Sequence, residues 1–533
     1  MAIGTSEAYR EAIYAPSRQT AALVSLDLSA PEAKDKATAG YTAQNPFSRG
    51  YQIVNNIEDN TRMATFEPDY WRLDGSYALP LLPSASAFEI GWWGAAMSDA
   101  SGLLPPNTGV SVSFSEIQDI PLFALAFDER ADEYIVDFNV TAYNSAGSVL
   151  LHEEVRGNTR AYAMADGGAE NVARVVYTLL RTSKPFRYPR VVELDFGIKI
   201  RFDGESILDL SLSNEADPEG KSLPFPQLNV TLRNDGRFDL LDPESYAQYL
   251  QHRQPLEYRH GLYLPGGAIE WVYGGVYYLD EWSVTTEQLE LTAVGIVARL
   301  DNVKHFGEGT SLMTAGQLAE TILAQIGMVH EIAPVLYASP LLPAYTGVVS
   351  VRNALAMVAR LSSVLTLETR NNAMRLVDAA LVEPMDAIDF ESTWRPPKLT
   401  LAPYYNGITL REYTERGEGG FDSTEAFYPA PWRDPLEPEY GYPLDLPMMI
   451  VNRAPDYPAL RAWVLTRRFA LIARRYMLDA DWRQNPAQEL GDTVTVGLNS
   501  KGSVLDAVTY SSSWDFTGGA LRGQTKLLGG AAI

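Results

Sequence analysis

Cysteine is absent from the 533 residues. That excludes disulfides, thiolate metal sites and a cysteine nucleophile, and it removes the usual clue to redox compartment. Histidine is scarce: of His152, His252, His260, His305 and His330, no two have the i, i+4 spacing that aims a pair at one metal from a helix face. Positive charge is short as well, with 43 Lys plus Arg against 67 Asp plus Glu and a formal net charge of −24. A surface of that sign repels phosphates and anionic lipid, so specific nucleic-acid binding is not expected. No apolar run approaches the roughly 20 residues of a spanning helix. The opening MAIGTSEAYREAIYAPSRQ carries acidic residues where a secretory signal is basic and then apolar. The expectation is a chain made and kept in solution, with no membrane anchor.

Catalytic constellations are missing too. GKS at 220–222 ends like a phosphate-binding loop, but Glu215 stands where that loop needs its first glycine. GEGTSL from Gly307 and GEGGFD from Gly417 lack the last glycine of a dinucleotide fingerprint and read as turns. No G-x-S-x-G elbow occurs, and HEEVR from His152 is not the zinc-protease pattern. Carboxylates as in FDERADEY fit a solvated acidic face better than a glycosidase pair. No catalytic residue, metal ligand or cofactor is assigned, and the chain is expected not to be an enzyme.

What the sequence holds is β-structure. Hydrophobic residues make up 46% of the chain and include 29 Tyr, 18 Phe and 10 Trp, a composition that favours strands. The length suggests roughly three or four domains. EAYREAIY near the start reads as a short helix stopped by Pro16, and Val24, Leu26 and Leu28 then alternate with polar residues as in a half-buried strand. WRLDGSYALP at 71–80 contains an Asp74-Gly75 hairpin signal. From Phe88 to Phe202 alternation is clean, with Tyr134, Val136, Phe138 and Val140 on one strand and Val192, Leu194, Phe196, Ile198, Ile200 and Phe202 on another, which predicts a sandwich with one dry and one wet side per sheet. Leu208, Leu210 and Leu212 reopen strand character that runs to Leu300, so the sandwich reads as an insertion in a domain begun at residue 1. Thr314 and Gln317 form a capping box before a helix, SVRNALAMVARLSS is a second helix, and Asn371-Asn372 turns a hairpin. Residues 414–447 lack any period but are rich in aromatics, and read as an extended contact loop. YPALRAWVLTRRFALIARRY is a helix, followed by strands in MLDADWRQ and DTVTVGL.

Two groups are candidate binding residues. Trp92 and Trp93, with Arg187 and Tyr188 of KPFRYPR, have the flat rings and guanidinium that dock sugar faces; the alternative is that they close the end of the sandwich. Arg461, Arg467, Arg468, Arg474 and Arg475 make a cationic helix in an acidic chain, either a solvated face or a contact with an acidic neighbouring subunit.

The order of several stretches resembles the tail hub or baseplate hub proteins of long-tailed bacteriophages and related phage-tail-like particles. They are EAYREAIYAPSRQ, ATFEPDYWRLDGSYALP, LNVTLRNDGRFDLLDPESYAQYLQHRQPLEYRHG, WVYGGVYYLDEW and PAQELGDTVTV. FDERADEYIVDFNVTAYNSAGSVL and KPFRYPRVVELDFGI are similar to a galactose-binding, discoidin-like sandwich. The resemblance implies a mainly β fold with α+β parts. Two tail-tube-like β-barrel domains would occupy 1–85 with 204–303, and 391–533; the inserted sandwich 86–203; and a small α/β module 304–390. It further implies a homotrimeric, pseudo-sixfold virion hub made in the host cytoplasm, lining the DNA channel. Its partners would be a distal tail or tail-tube protein on one side, a tip, spike or fibre protein on the other, and a host cell-surface glycan at the sandwich. The alternative is a carbohydrate-active or adhesin-like protein with a discoidin-like binding module.

Overall fold

The computed structural model describes residues 3–28, 33–55, 57, 61, 63–70, 89–128, 133–165, 167–197, 199–242, 245–307, 311–343, 347–416, 420–451 and 453–530. The Asp74-Gly75 hairpin signal lies outside them. The chain divides into two compact units, one of Met1–Ser25, Arg201–Gln248 and Leu256–Ile533, the other of Leu26–Ile200 with Tyr249–Pro255. It is mainly β, with a small α/β part.

The first unit is organised by one 13-stranded sheet. In chain order its strands are β1 (Thr20–Asp27), β2 (Lys199–Asp203), β3 (Ile207–Glu215), β4 (Gln227–Arg233), β5 (Pro255–Tyr263), β6 (Ile269–Val284), β7 (Gln288–Val294), β8 (Asp386–Ile388), β9 (Lys398–Leu401), β10 (Tyr476–Trp482), β11 (Thr493–Gly497), β12 (Val504–Thr517) and β13 (Ala520–Gly529). Their spatial order is β2-β1-β5-β6-β7-β4-β3-β12-β13-β10-β9, with β11 pairing both β8 and β12. Period-two patterning sets the register: Leu228, Val230 and Leu232 of β4 and Leu289, Leu291 and Ala293 of β7 are all buried and stand opposite one another. β3 is the join, pairing Leu210 with Val230 of β4 on one side and with Phe516 of β12 on the other. The strands before residue 300 and those after 386 therefore share one continuous sheet. Helix α1 (Glu7–Tyr14) is capped by Ser6, whose hydroxyl accepts from the Tyr9 N–H, and buries Tyr9 and Ile13 against Leu262 and Val272.

The α/β part follows its local signals. Thr314 and Gln317 close both arms of a capping box on α2 (Ala315–Ala324). After the one-turn α3 (Pro334–Tyr337), Ser350 caps α4 (Val351–Ser362), which ends at Ser363 with φ 51°. Asn372, at φ 57°, turns the hairpin of Val364–Glu368 and Met374–Asp378. Leu318, Ile322, Leu355 and Val358 form a core that extends to Leu460 and Val464 of α5 (Tyr457–Ile472). The extended contact loop expected over 414–447 is instead largely strand: Gly407–Glu415 pairs antiparallel with Phe421–Pro429 and parallel with Gly441–Ile450. Its aromatics make contacts within the chain: Tyr442 is buried at 3% exposure, the exposed Tyr440 stacks on Tyr405, and Trp432 is edge-on to Phe469. Sequence periodicity was silent because mixed pairing exposes one edge and lets packing come from distant elements.

In the second unit, a five-stranded sheet runs Ala37–Tyr41, Gly109–Ile120, Ala169–Thr182, Ile135–Tyr143, Val149–Val155, and a three-stranded one runs Glu193–Asp195, Phe123–Ala126, Tyr162–Ala165. They share one core that includes Phe123, Phe138, Tyr177 and Phe196. The expected start of the sandwich at residue 86 is too late, since Ala37–Tyr41 pairs with Val110–Phe114. Two details depart from clean alternation. A register irregularity between Ile135 and Phe138 turns Ile135, not Val136, into the core. Glu193 and Asp195, on the expected wet side, are buried and bind the Lys34 ammonium at 2.8 and 2.6 Å.

Candidate interaction surface

The residues singled out at the end of the sandwich are brought together, but they are sealed. Trp92 and Trp93 are 0% and 3% exposed. They pair with Val191 and Arg190 in a short ladder, and their indole N–H groups donate to the carbonyls of Ala43 and Ile90. The Arg190 guanidinium lies 4.1 Å from the Trp93 ring centre and 3.9 Å from that of Tyr70. Arg190 also donates to Glu133 at 2.6 Å and to Glu67, while Arg187 donates to the other Glu133 oxygen at 2.6 Å. The Tyr188 backbone N–H donates to Glu67 at 2.7 Å. No ring face of either tryptophan is left for a sugar, so the packing reading of Trp92, Trp93 and Arg187 replaces the glycan reading. Burial raises the Tyr70 phenol well above its usual range, with Arg190 opposing. Glu67 and Tyr70, central to this cluster, were not singled out from sequence. Their arginine partners lie more than a hundred residues on, and no local spacing announces them.

The arginines of α5 and its end are likewise used within the chain. Arg461 donates to the Tyr428 hydroxyl at 2.9 Å and to Glu412 at 3.2 Å. Arg467 forms a two-pronged pair with Asp378 at 2.9 and 3.0 Å. Arg468 is fully buried, donating to the carbonyls of Glu219 and Arg360 with Tyr442 packed on its guanidinium. Arg474 donates to the carbonyls of Gly529, Leu528 and Ala379, and Arg475 to that of Ala402. Five donors in a planar fork suit arginine to tying strand-end carbonyls to a helix. The cationic helix is therefore a clamp on neighbouring elements of its own chain, with Arg461, Arg467, Arg474 and Arg475 half-buried and Arg468 buried.

An open surface lies elsewhere in the first unit. A groove of about 520 Å³ is lined by Leu401, Pro403, Tyr405, Leu471, Met477 and Tyr510 among its apolar residues, and by Lys398, Lys526, Arg474, Asp217, Glu219 and Asp479 among its polar ones. That size and mixture are typical of binding clefts. Strand β9 forms part of its wall and is the terminal strand of the sheet. Burial drives the Arg474 guanidinium down to about 10, with Asp378 opposing. Burial also raises Glu219, but bonds from Lys221 and the Tyr442 hydroxyl outweigh it and hold the carboxyl below its usual range.

Reactive groups outside this surface serve the core. His260 is 0% exposed, within 3.1 Å of the Tyr258 hydroxyl and edge-on to Phe516. Burial first, then Arg18 and Arg370, push it down to about 3. Glu368 accepts the backbone N–H groups of Ile296 and Val297 at 2.8 and 3.1 Å, and burial lifts it to about 7. GKS at 220–222 is a turn organised by Asp217, which accepts from the N–H groups of Glu219 and Ser222. Among the described residues no cluster of three metal-ligating side chains occurs, and no helix is long and apolar enough to cross a membrane.

No family model matches the sequence, and no curated protein matches it. Solved structures do. The chain is similar to the 43 kDa tail protein of prophage MuSo2 from Shewanella oneidensis, at 12% identity and a TM-score of 0.39 over 63% of this chain and 97% of that one. It is similar to a tail protein from Neisseria meningitidis MC58, at 10% identity and a TM-score of 0.43 over 62% and 93%. A chain of the phage P2 baseplate in its activated conformation with Ca matches at 10% identity and a TM-score of 0.27 over 64% and 92%.

Proposed function

We propose that this chain is a structural component of a phage tail tip or baseplate. Three copies form a pseudo-sixfold hub that joins the tail tube to a distal tip, spike or fibre and lines the DNA channel. The observation that supports this reading most is the continuous sheet: two strand groups, β1 to β7 and β8 to β13, are fused side by side through β3 and β12 within one chain. A subunit with two such groups supplies two positions to a ring, and three subunits supply six. Of the stretches that carry the resemblance, EAYREAIYAPSRQ, WVYGGVYYLDEW and PAQELGDTVTV fall in this same unit and point the same way. The role is assembly without turnover of substrate, and the net charge of −24 suits a conduit through which phosphates must slide without sticking.

Light scattering on the purified full chain tests the oligomer: the expected mass is three times the 58.8-kDa chain, and a monomer or dimer at micromolar concentration overturns the trimer. Labelling the chain in intact particles and locating it by electron microscopy tests the position, which is expected at the distal end of the tail tube. A reconstructed ring with a positively charged inner wall overturns the channel assignment.

A further inference from the structure

The terminal strand β9 leaves an open edge on the large sheet. All four of its residues are exposed, with Leu399 at 42% and Leu401 at 57%, and Trp394 just before it is 54% exposed. Its inner side is fully engaged with β10, pairing Lys398 with Asp479, Leu399 with Leu478, Thr400 with Met477 and Leu401 with Tyr476. The Ala402 N–H donates to the Arg475 carbonyl at 2.8 Å. In an antiparallel ladder the residues alternate between facing the partner strand and facing away. Ala402, Thr400 and Lys398 face β10, so the N–H and C=O of Leu399 and Leu401 point outward. Among the described residues no strand takes them up. Exposed edges are ordinarily blunted by charge, proline or a bulge. Here Pro397 and Pro403 bound the edge but leave these four residues open.

Beside this edge Lys398, Lys526 and Arg474 stand with Asp217, Glu219 and Asp479, but each carboxylate is already held: Asp217 by the N–H groups of Glu219 and Ser222, Glu219 by Lys221 and the Tyr442 hydroxyl, and Asp479 by the Gln524 amide. Asp479 stands between Lys398 and Lys526 in the ladder, and neither lysine makes an ion pair among the described residues. Arg474, in the groove wall, donates to backbone carbonyls and not to a carboxylate.

We propose that β9 and the adjoining groove form a strand-addition site for a partner protein. The partner contributes an extended segment of about four to six residues that alternates apolar with acidic side chains. Main-chain bonds go to Leu399 and Leu401, apolar side chains lie beside those of Leu399 and Leu401 on one face of the sheet, and carboxylates meet Lys398 and Lys526 on the groove face. This surface is independent of whether the chain forms a trimer.

The test uses the full chain and a fluorescein-labelled peptide alternating valine and glutamate, with a valine–lysine peptide and a proline-interrupted peptide as controls, read by fluorescence polarisation. The valine–glutamate peptide is expected to bind at least about tenfold more tightly than either control. Leu401→Pro removes an outward N–H and no ladder bond, and is expected to weaken that binding about tenfold or more. Lys398→Glu with Lys526→Glu is expected to reverse the preference between the charged peptides. Unchanged melting temperatures show that the variants fold, and the charge-reversal pair carries the test if Leu401→Pro does not. Equal binding of all peptides, or binding indifferent to both variants, overturns the proposal. Light scattering separates the remaining occupant: if Leu401→Pro dissociates an oligomer of the chain itself, the edge belongs to a contact between copies and the partner assignment falls. If the oligomer persists while peptide binding is lost, the assignment stands. A chain that is monomeric yet binds the acidic peptide overturns the trimer and not this site.

Discussion

Two places in this protein set tryptophan and arginine side by side, and they use them in opposite ways. At the end of the sandwich, Arg190 is clamped between Trp93 and Tyr70 with Glu67 and Glu133 on its nitrogens, and every member is buried or nearly so. At the end of the large sheet, Trp394 stands in solvent with the Arg522 guanidinium 6.0 Å from its ring, while Arg395 and Arg522 share Asp481. The composition is the same and the partners differ. Carboxylates buried at the first place demand a buried cation, whereas at the second all charges keep water. Aromatic-basic sequence therefore says little about recognition until the burial of its counter-ions is known.

The largest effect is expected where the comparison is sharpest. Arg190→Ala leaves the buried Glu67 without its arginine, while Glu133 keeps Arg187, and should destabilise the second unit by about 3–5 kcal/mol. Urea unfolding followed by tryptophan fluorescence checks it, and a loss below about 1 kcal/mol would show that the cluster is wetter than described.

Acid provides the second test, on the sealed histidine. The folded His260 is held at about 3 against an ordinary 6.5, so it takes up a proton on unfolding between those values. Its contribution is complete above pH 6.5 and is lost as pH falls toward 3. Glu368, raised to about 7 from 4.5, acts oppositely, and its contribution is present below 4.5 and lost as pH rises through 7. Between pH 4.5 and 6.5 the two slopes oppose each other. Urea midpoints measured across that window should fall more steeply on acidification in Glu368→Gln than in the native chain, and less steeply in His260→Gln.

A smaller effect is expected from Arg467→Ala, which removes the two-pronged pair with Asp378. Both side chains keep some solvent, so the loss should be about 1 kcal/mol in a thermal or urea melt. The least is expected from Trp394→Ala, within about 0.5 kcal/mol of native stability. A large destabilisation by Trp394→Ala would erase the distinction between the two places.

Local chemistry was the legible part of this sequence. The Thr314–Gln317 capping box, the Asn372 turn and the alternation of Leu210 and Leu212 in β3 all stand where residue spacing puts them, because each depends on neighbours a few positions away. What escaped depends on distant partners. Glu193 and Asp195 alternate as a wet face does, and Lys34, some 160 residues earlier, supplies a cation for their buried carboxylates. The arginines after Tyr457 read as a free cationic face because the carbonyls they bind belong to strand ends and turns that no helical period reveals. The groove could not be read at all, since it is assembled from six separated stretches of chain.

The pairing of β3 with β12 also has a mechanical side. Six residues of each strand, Leu210 to Glu215 and Ser511 to Phe516, are zipped rung by rung with no flexible tether between the two strand groups. A pull or twist delivered to one group reaches the other as shear across many bonds loaded together, which is the geometry in which hydrogen-bonded strands yield last. Such a piece transmits strain rather than absorbing it, and any bending under load must be taken up elsewhere in the assembly.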